Sequence, residues 1–281
     1  MSVSATSRVC AAMQRIAPLA LAGSWDNVGL LLEAPAASPA ANNRVLLTID
    51  LTTAVCDEAI ALKIHTLIAY HPPLFAPLKS FTLATPLQKS LLRCAAAGIS
   101  VYSPHSALDA VWGGLTDWLA SIVSGAPSMQ TPLFPPSTPD APGAEGRRVD
   151  LATPTPMSEL VHRVKSGLGL ASVQVGYSPL RADRLVRSVA ICAGSGASVF
   201  AKLTTPADVW FTGEMQHHEL LAALANGTHV ILCGHTNTER GFLPMLADRL
   251  RAELRAEGKE EEEGDVEILV SEADRHPLEV V

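Results

Sequence analysis

From Arg44 the chain switches repeatedly between two hydrophobic periods. Residues 44–50 form a continuous apolar run bounded by polar residues, which predicts a buried strand. Residues 52–63 place Val55, Ala59 and Leu62 on one face behind Thr52 or Thr53 as cap, which predicts a helix. A second strand follows over 65–70. Thr85-Pro86 then opens a helix carrying Leu87, Leu91 and Ala95, with Gly98 closing it. Residues 98–103 read as a third strand. Behind Gly113-Gly114, the residues Leu115, Trp118, Leu119 and Ile122 recur at three- and four-residue steps. Strand, helix and strand in alternation predict an α/β protein with a mixed or mostly parallel sheet and helices on its faces.

Before this block, Val9, Met13 and Ile16 share one face of a helix that Pro18 ends. The acid-free start with Arg8 and Arg15 also resembles a transit peptide, but the helix accounts for the same residues. Residues 125–146 are rich in Pro, Ser and Gly and follow neither period, so they read as a linker or long surface loop. Beyond them the pattern gives a helix at 157–168, a strand at 185–192, a short helix at 197–203 and a strand at 207–211. A helix at 214–225 and a strand at 228–233 come next. The last helix carries Phe242, Leu246, Leu250 and Leu254, with Pro244 near its start implying a kink or a late start. Residues 259–265 read as a solvated acidic turn, and 265–271 as the last strand.

Three of these strands run straight into a candidate metal ligand. His71-Pro72-Pro73 follows the second, His105 with Asp109 four residues on follows the third, and His235 with Glu239 four residues on follows the strand at 228–233. The carboxyl ends of strands in such sheets form the crevice where ligands bind. Each histidine alone reads as structural; jointly, His71, Asp109, His235 and Glu239 read as metal ligands. His105 reads as a residue that acts on bound water or relays protons. Imidazole with carboxylate suits zinc, manganese, iron or cobalt, and the absence of nearby thiolates argues against a structural zinc site. Cys233 lies close in sequence to His235, but strand alternation turns it away. His217 and His218 suit either a pocket mouth or an exposed surface, while His65, His162, His229 and His276 read as structural.

Other motifs are weak. Gly194-Ser195-Gly196 lacks the third glycine of a dinucleotide fingerprint and the lysine of a P-loop, and reads as a tight packing turn. No Gly-x-Ser-x-Gly elbow occurs. The chain has 281 residues, 48% of them hydrophobic, 17% charged and 5% aromatic, so its core is built of Ala, Leu and Val. A net charge of -7 argues against direct nucleic-acid binding, which needs a basic face. No apolar run reaches the ~18 residues of a membrane span. Five cysteines without CxxC spacing suggest buried free thiols in a reducing compartment, with the cytoplasm as default.

Taken in order, Trp25-Asp26-Asn27-Val28-Gly29-Leu30, Tyr70-His71-Pro72-Pro73, Ser103-x-His105 with Asp109, Thr212-Gly213-Glu214-Met215 and Gly234-His235 with Glu239-Arg240-Gly241 resemble the NGG1-interacting-factor-3-like family. Its bacterial members are often labelled GTP cyclohydrolase type 2 homologues. The resemblance spans nearly the whole chain. It implies a two-lobed α/β fold in which residues 126–227 form a second lobe inserted into a first made of 1–125 and 228–281. It further implies a ring-shaped homohexamer and two divalent transition-metal ions, with His71, Asp109, His235 and Glu239 as ligands and His105 beside them. Tyr70 stands where many bacterial members have a second histidine, and Gly23 where the family often has Glu. Two functions fit: a metal-dependent hydrolase that activates water on a small molecule, GTP-type ring opening included, or a non-enzymatic scaffold holding metal and binding protein partners such as transcription regulators.

Overall fold

The computed structural model describes residues 4–35, 43–124, 130–136, 138, 140–256 and 266–281. In chain order the elements are α1 (Ala5–Ile16), β1 (Gly29–Leu32), β2 (Arg44–Thr48), α2 (Thr53–Ala61), β3 (Thr66–Ala69), α3 (Pro86–Ala96), β4 (Ser100–Ser103), α4 (His105–Ala110) and α5 (Leu115–Ser124). They continue as β5 (Gln130–Pro132), β6 (Arg147–Pro156), α6 (Met157–Leu168), β7 (Gln174–Gly176), β8 (Leu185–Ile191), α7 (Ala197–Phe200), β9 (Val209–Thr212), α8 (His217–Ala225), β10 (His229–Leu232), α9 (Leu243–Ala256) and β11 (Glu267–Val270). The class is α/β as expected. Among the described residues, no helix is long and apolar enough to cross a membrane.

The chain divides into two compact units. The first comprises Met1–Leu108 and Phe242–Arg275. Its five-stranded sheet has the order β1-β4-β3-β2-β11. β4, β3, β2 and β11 are parallel, and β1 closes the edge antiparallel to β4. Parallel strands have both faces covered, which explains why every residue of β3 and β4 is buried. Leu46, Leu67 and Val101 pack against Val55, Cys56 and Ala59 of α2 and Leu91 and Cys94 of α3. The Thr52 hydroxyl accepts from the Val55 N–H, and the Thr85 hydroxyl from Gln88 N–H, so both caps fall where the sequence puts them. α1 packs against α9, with Val9 and Met13 of one and Leu246, Leu250 and Leu254 of the other buried.

The second unit comprises Asp109–Gly241 and His276–Val281. Its six-stranded sheet has the order β5-β6-β8-β9-β10-β7. The centre, β8-β9-β10, is parallel, while β6 pairs antiparallel with β8 and β7 antiparallel with β10. Val189, Val209, Phe211, Val230 and Ile231 are buried in it.

Several elements depart from the pattern reading. β6 escaped it because its sequence is largely polar and carries Pro154 and Pro156; a break in register between Asp150 and Thr155 lets a strand hold those prolines. β5 falls inside the expected loop at 125–146. β7, of three residues, is too short to show a period, and β1 lies at the end of the Trp25–Leu30 phrase rather than in an isolated apolar run. α8 begins at His217, after Glu214, because Gln216 caps it and the Glu219 side chain accepts from the Gln216 N–H. Pro244 lies in the first turn of α9, where its missing N–H goes unused, so the late start is the correct reading. The expected acidic turn at 259–265 lies outside the described residues.

Arg147, at the start of β6, has a fully buried side chain. Its guanidinium donates to both carboxylate oxygens of Asp117, at 2.6 and 3.0 Å, and to the carbonyls of Ala110, Val111, Ala144 and Gly146. It also lies 4.3 Å from the centre of a Trp112 ring. One cation thereby ties the segment just after Asp109 to β6 and to the first turn of α5.

Candidate metal centre

In the first unit the parallel ladder between β2 and β3 runs on past the strand ends. Tyr70 N–H donates to Thr48 O and His71 N–H to Ile49 O. That continuation sets His71 beside Asp50, whose Oδ1 lies 2.9 Å from His71 Nδ1. The carboxylate accepts a hydrogen bond from Nδ1–H, which assigns the tautomer whose Nε2 presents a lone pair.

His105 opens α4 with a positive φ of 32°, in the left-handed region. Its Nδ1 lies 2.7 Å from Asp26 Oδ1, and Asp26 Oδ2 accepts from the Ser106 N–H and hydroxyl. The Asp26 side chain is 0% exposed. Burial pushes its carboxyl up, but the hydrogen bonds from His105 and Ser106 outweigh burial and hold it below the ordinary aspartate value. His71 and His105 are neighbours, with ring centres 5.4 Å apart, and Tyr70 flanks both. Trp25 meets His105 edge-on at 5.8 Å and Phe75 at 6.2 Å, and both are more than half exposed.

The second unit holds the other three expected ligands. Gly234, at φ 86°, turns the chain out of β10, and His235 begins a 3-10 turn, His235–Thr238. His235 Nδ1 lies 2.9 Å from Glu214 Oε1, just beyond β9. Its Nε2 lies 3.4 Å from Glu239 Oε1, and Glu239 is 1% exposed. Backbone crowds this corner. A Cβ on Gly194 would stand 2.8 Å from both Glu239 Oε1 and His235 Nε2, and one on Gly213 2.6 Å from Gly194 O. The Gly194 N–H donates to the Thr238 hydroxyl, which gives the glycine turn at 194–196 a packing role. Asp109 lies on α4, one turn beyond His105. Burial raises the Cys192 thiol far above its ordinary value, and the charges of Asp109, Glu145 and Glu239 raise it further, so these carboxylates share one neighbourhood.

The remaining histidines stand apart from this chemistry. His217 and His218 are exposed at the start of α8. His229 is buried and accepts from the Ser178 N–H, and His276 pairs with the Thr236 hydroxyl. Cys233 is buried in its strand end.

Three imidazoles thus have Nδ1 on a carboxylate: His71 on Asp50, His105 on Asp26, His235 on Glu214. Known proteins are similar to this chain in sequence, and others in fold. A profile of the family Duf34/NIF3 (NGG1p interacting factor 3) matches residues 4–277. The chain belongs to the Duf34/NIF3 family. It is 46% identical over 268 residues to the NIF3 homologue of Schizosaccharomyces pombe, covering 92% of this chain and 91% of that protein. It is 37% identical to the NGG1-interacting factor 3 of Saccharomyces cerevisiae, covering 92% and 90%. Among solved structures, a Bacillus cereus protein related to NIF3 superposes with a TM-score of 0.80 over 100% of both chains at 19% identity. Membership and fold agree with the resemblance read from the motifs.

The orienting acids are what sequence reasoning missed in this NIF3 protein. Asp26 and Glu214 sit inside the family phrases around Trp25 and Thr212, so the phrases were visible while their chemistry was not. Asp50 gave a fainter signal, an acid at the end of the strand next to the one ending in His71.

Proposed function

We propose that this NIF3-family chain is a metal-dependent hydrolase acting on a small molecule in the cytoplasm, with His71, Asp109, His235 and Glu239 holding two divalent transition-metal ions. The observation that carries the reading is the repeated carboxylate on Nδ1, which orients a ligand imidazole and raises its basicity. Imidazole and carboxylate, as His71, His235 and Glu239 offer them, are donors of the kind that zinc, iron, manganese or cobalt takes. When bound, such ions supply Lewis acidity and a water acidic enough to act as nucleophile near neutral pH. The protein's own part is orientation and proton handling. Asp50 and Glu214 hold two imidazoles in the tautomer that offers Nε2. Asp26 does the same for His105, which then accepts a proton from water at Nε2 and returns it to the leaving group, with Asp26 balancing the imidazolium. Opening of an imidazole ring, as in GTP-type cyclohydrolysis, is one reaction of this class. The low charged fraction and the family resemblance support a closed homohexamer.

A second reading, a metal-holding scaffold for protein partners, draws support from the name of the S. cerevisiae relative, NGG1-interacting factor 3. Metal content and turnover separate the two. His235→Ala and Glu239→Ala lower metal stoichiometry, whereas His105→Ala keeps the metal and abolishes hydrolysis in a metabolite screen. If His105→Ala strips metal as fully as His235→Ala, the role given to His105 is wrong. Metal-loaded protein that turns over nothing, yet retains a protein partner, favours the scaffold. Light scattering that returns a monomer at all concentrations would remove the hexamer.

A further inference from the structure

The first unit buries two thiols against one another, away from the candidate centre. Cys56 on α2 and Cys94 on α3 have Sγ atoms 3.9 Å apart, and both are fully buried in the cluster that joins those helices to the sheet. Two thiols in a core ordinarily sit among aliphatic groups, as small hydrophobes. Here they face each other across a helix pair, and the surroundings are asymmetric. Arg93 lies on α3 next to Cys94 and pairs with Asp57 at 2.6 Å, next to Cys56. Closing the gap to the ~2.05 Å of a disulfide takes rotation of the two side chains about their Cα–Cβ bonds.

We propose that Cys56 and Cys94 form a reversible intramolecular disulfide when the protein meets a water-sized oxidant, hydrogen peroxide. The hydrogen bond from the Cys94 thiol, followed by the charge of Arg93, favours the Cys56 thiolate, while the same bond and burial push Cys94 the other way. In this proposal Cys56 is the attacking sulfur. Its thiolate displaces hydroxide from peroxide, giving a sulfenic acid and, with one proton, water. The Cys94 thiol then attacks that sulfenic sulfur, and a second water leaves as the S–S bond forms. Two thiols lose two electrons and peroxide becomes two waters. Burial keeps larger oxidants out and lets the neighbouring thiol trap the sulfenic acid before a second peroxide arrives. The two residues are 38 positions apart, and the loop they would close contains β3, His71 and the exposed stretch around Phe75. A disulfide in a reducing compartment is transient, which fits an oxidation-dependent clamp on that segment.

The experiment uses the full chain, stripped of reductant, treated with hydrogen peroxide, unfolded and alkylated. The expected result is loss of two of the five alkylatable thiols, a mass lower by two hydrogens, and a crosslinked peptide pair carrying Cys56 and Cys94 that dithiothreitol releases. Cys94→Ser removes the crosslink and leaves Cys56 to accumulate oxygen adducts. Cys10→Ser and Cys192→Ser keep it. Should Cys94→Ser fail to fold, the wild-type crosslink map decides alone. Five alkylated thiols after treatment, oxygen adducts on both residues of the wild type without a link, or a crosslink through Cys10, Cys192 or Cys233 would each overturn the proposal.

Discussion

Replacing Arg147 by Met tests whether a single buried cation organises the second unit. The substitution keeps much of the side-chain volume and removes the charge. What it strands can be counted from the contacts. Asp117, only 18% exposed, loses a two-point partner, and the carbonyls of Ala110, Val111, Ala144 and Gly146 lose donors. Breaking a buried pair from one side costs about 3–5 kcal/mol. A carbonyl that water cannot reach adds about 1 kcal/mol or more, and relaxation of the segment recovers part of that, so a total of about 4 kcal/mol is expected. Against a typical ~2 kcal/mol/M dependence on urea, that lowers the unfolding midpoint by about 2 M. The assay is urea unfolding followed by tryptophan fluorescence, because Trp112 stacks on the guanidinium. Arg148→Met is the control, since its pair with Asp150 lies at the surface and such pairs contribute only about 0–1 kcal/mol. Removing Asp117 as well, in Arg147→Met/Asp117→Asn, should recover about 1 kcal/mol or more by deleting the stranded charge. A midpoint for Arg147→Met within about 0.5 M of the control would refute the reasoning, whatever the fold signal.

Other consequences follow from the same contacts. Asp50→Asn and Glu214→Gln keep the fold but weaken metal binding about 10–100-fold by chelator competition, because each frees a ligand imidazole to turn; unchanged affinity in both would remove their orienting role. Gly194→Ala should destabilise the protein and displace the Glu239 carboxylate, since its Cβ meets Glu239 and His235 at 2.8 Å from a backbone at φ +58°; a wild-type melting temperature and metal content would contradict this. Asp26 carries the pH dependence. Its folded value lies below the ordinary 3.8, so its contribution to stability is complete above the unfolded value and disappears as pH falls through the folded one. Asp26→Asn should therefore lose stability at neutral pH and show a flatter acid limb below about pH 4 than wild type; parallel limbs would show that Asp26 titrates alike in both states.

The parts of the fold that sequence made legible are those whose burial is one-sided or complete. β2, β3 and β4 are short apolar runs flanked by capped helices, and both period and caps survive in the structure. β6 was illegible because its alternation is broken at Asp150–Thr155 and most of its residues from Asp150 on are polar or proline and exposed, while the buried Arg147 is a cation. The histidines announced themselves by following strands abruptly. Their acids did not, since an Asp at a strand end or a Glu after a glycine looks like ordinary surface polarity until the partner strand is alongside. Arg147 was hidden for the opposite reason: a cation next to a second arginine, at the edge of a proline-rich stretch, gives no hint of complete burial.

The ladder that runs beyond β2 and β3 to Ile49 and His71 has a bearing on the order of events in the life of this protein. Zinc fingers and similar small domains gather their ligands only when the ion arrives, so that binding and folding are one transition. Here the pairing of His71 with Asp50 is inherited from main-chain register, established as soon as two neighbouring strands zip together. The entropy of ordering that imidazole is thus met during sheet formation, before any ion is present. An ion bound at the proposed centre would find one donor already aimed. If the proposed centre holds a metal, exchanging it for another should leave the first unit intact, and metal supply, more than the folding of the chain, should set its occupancy.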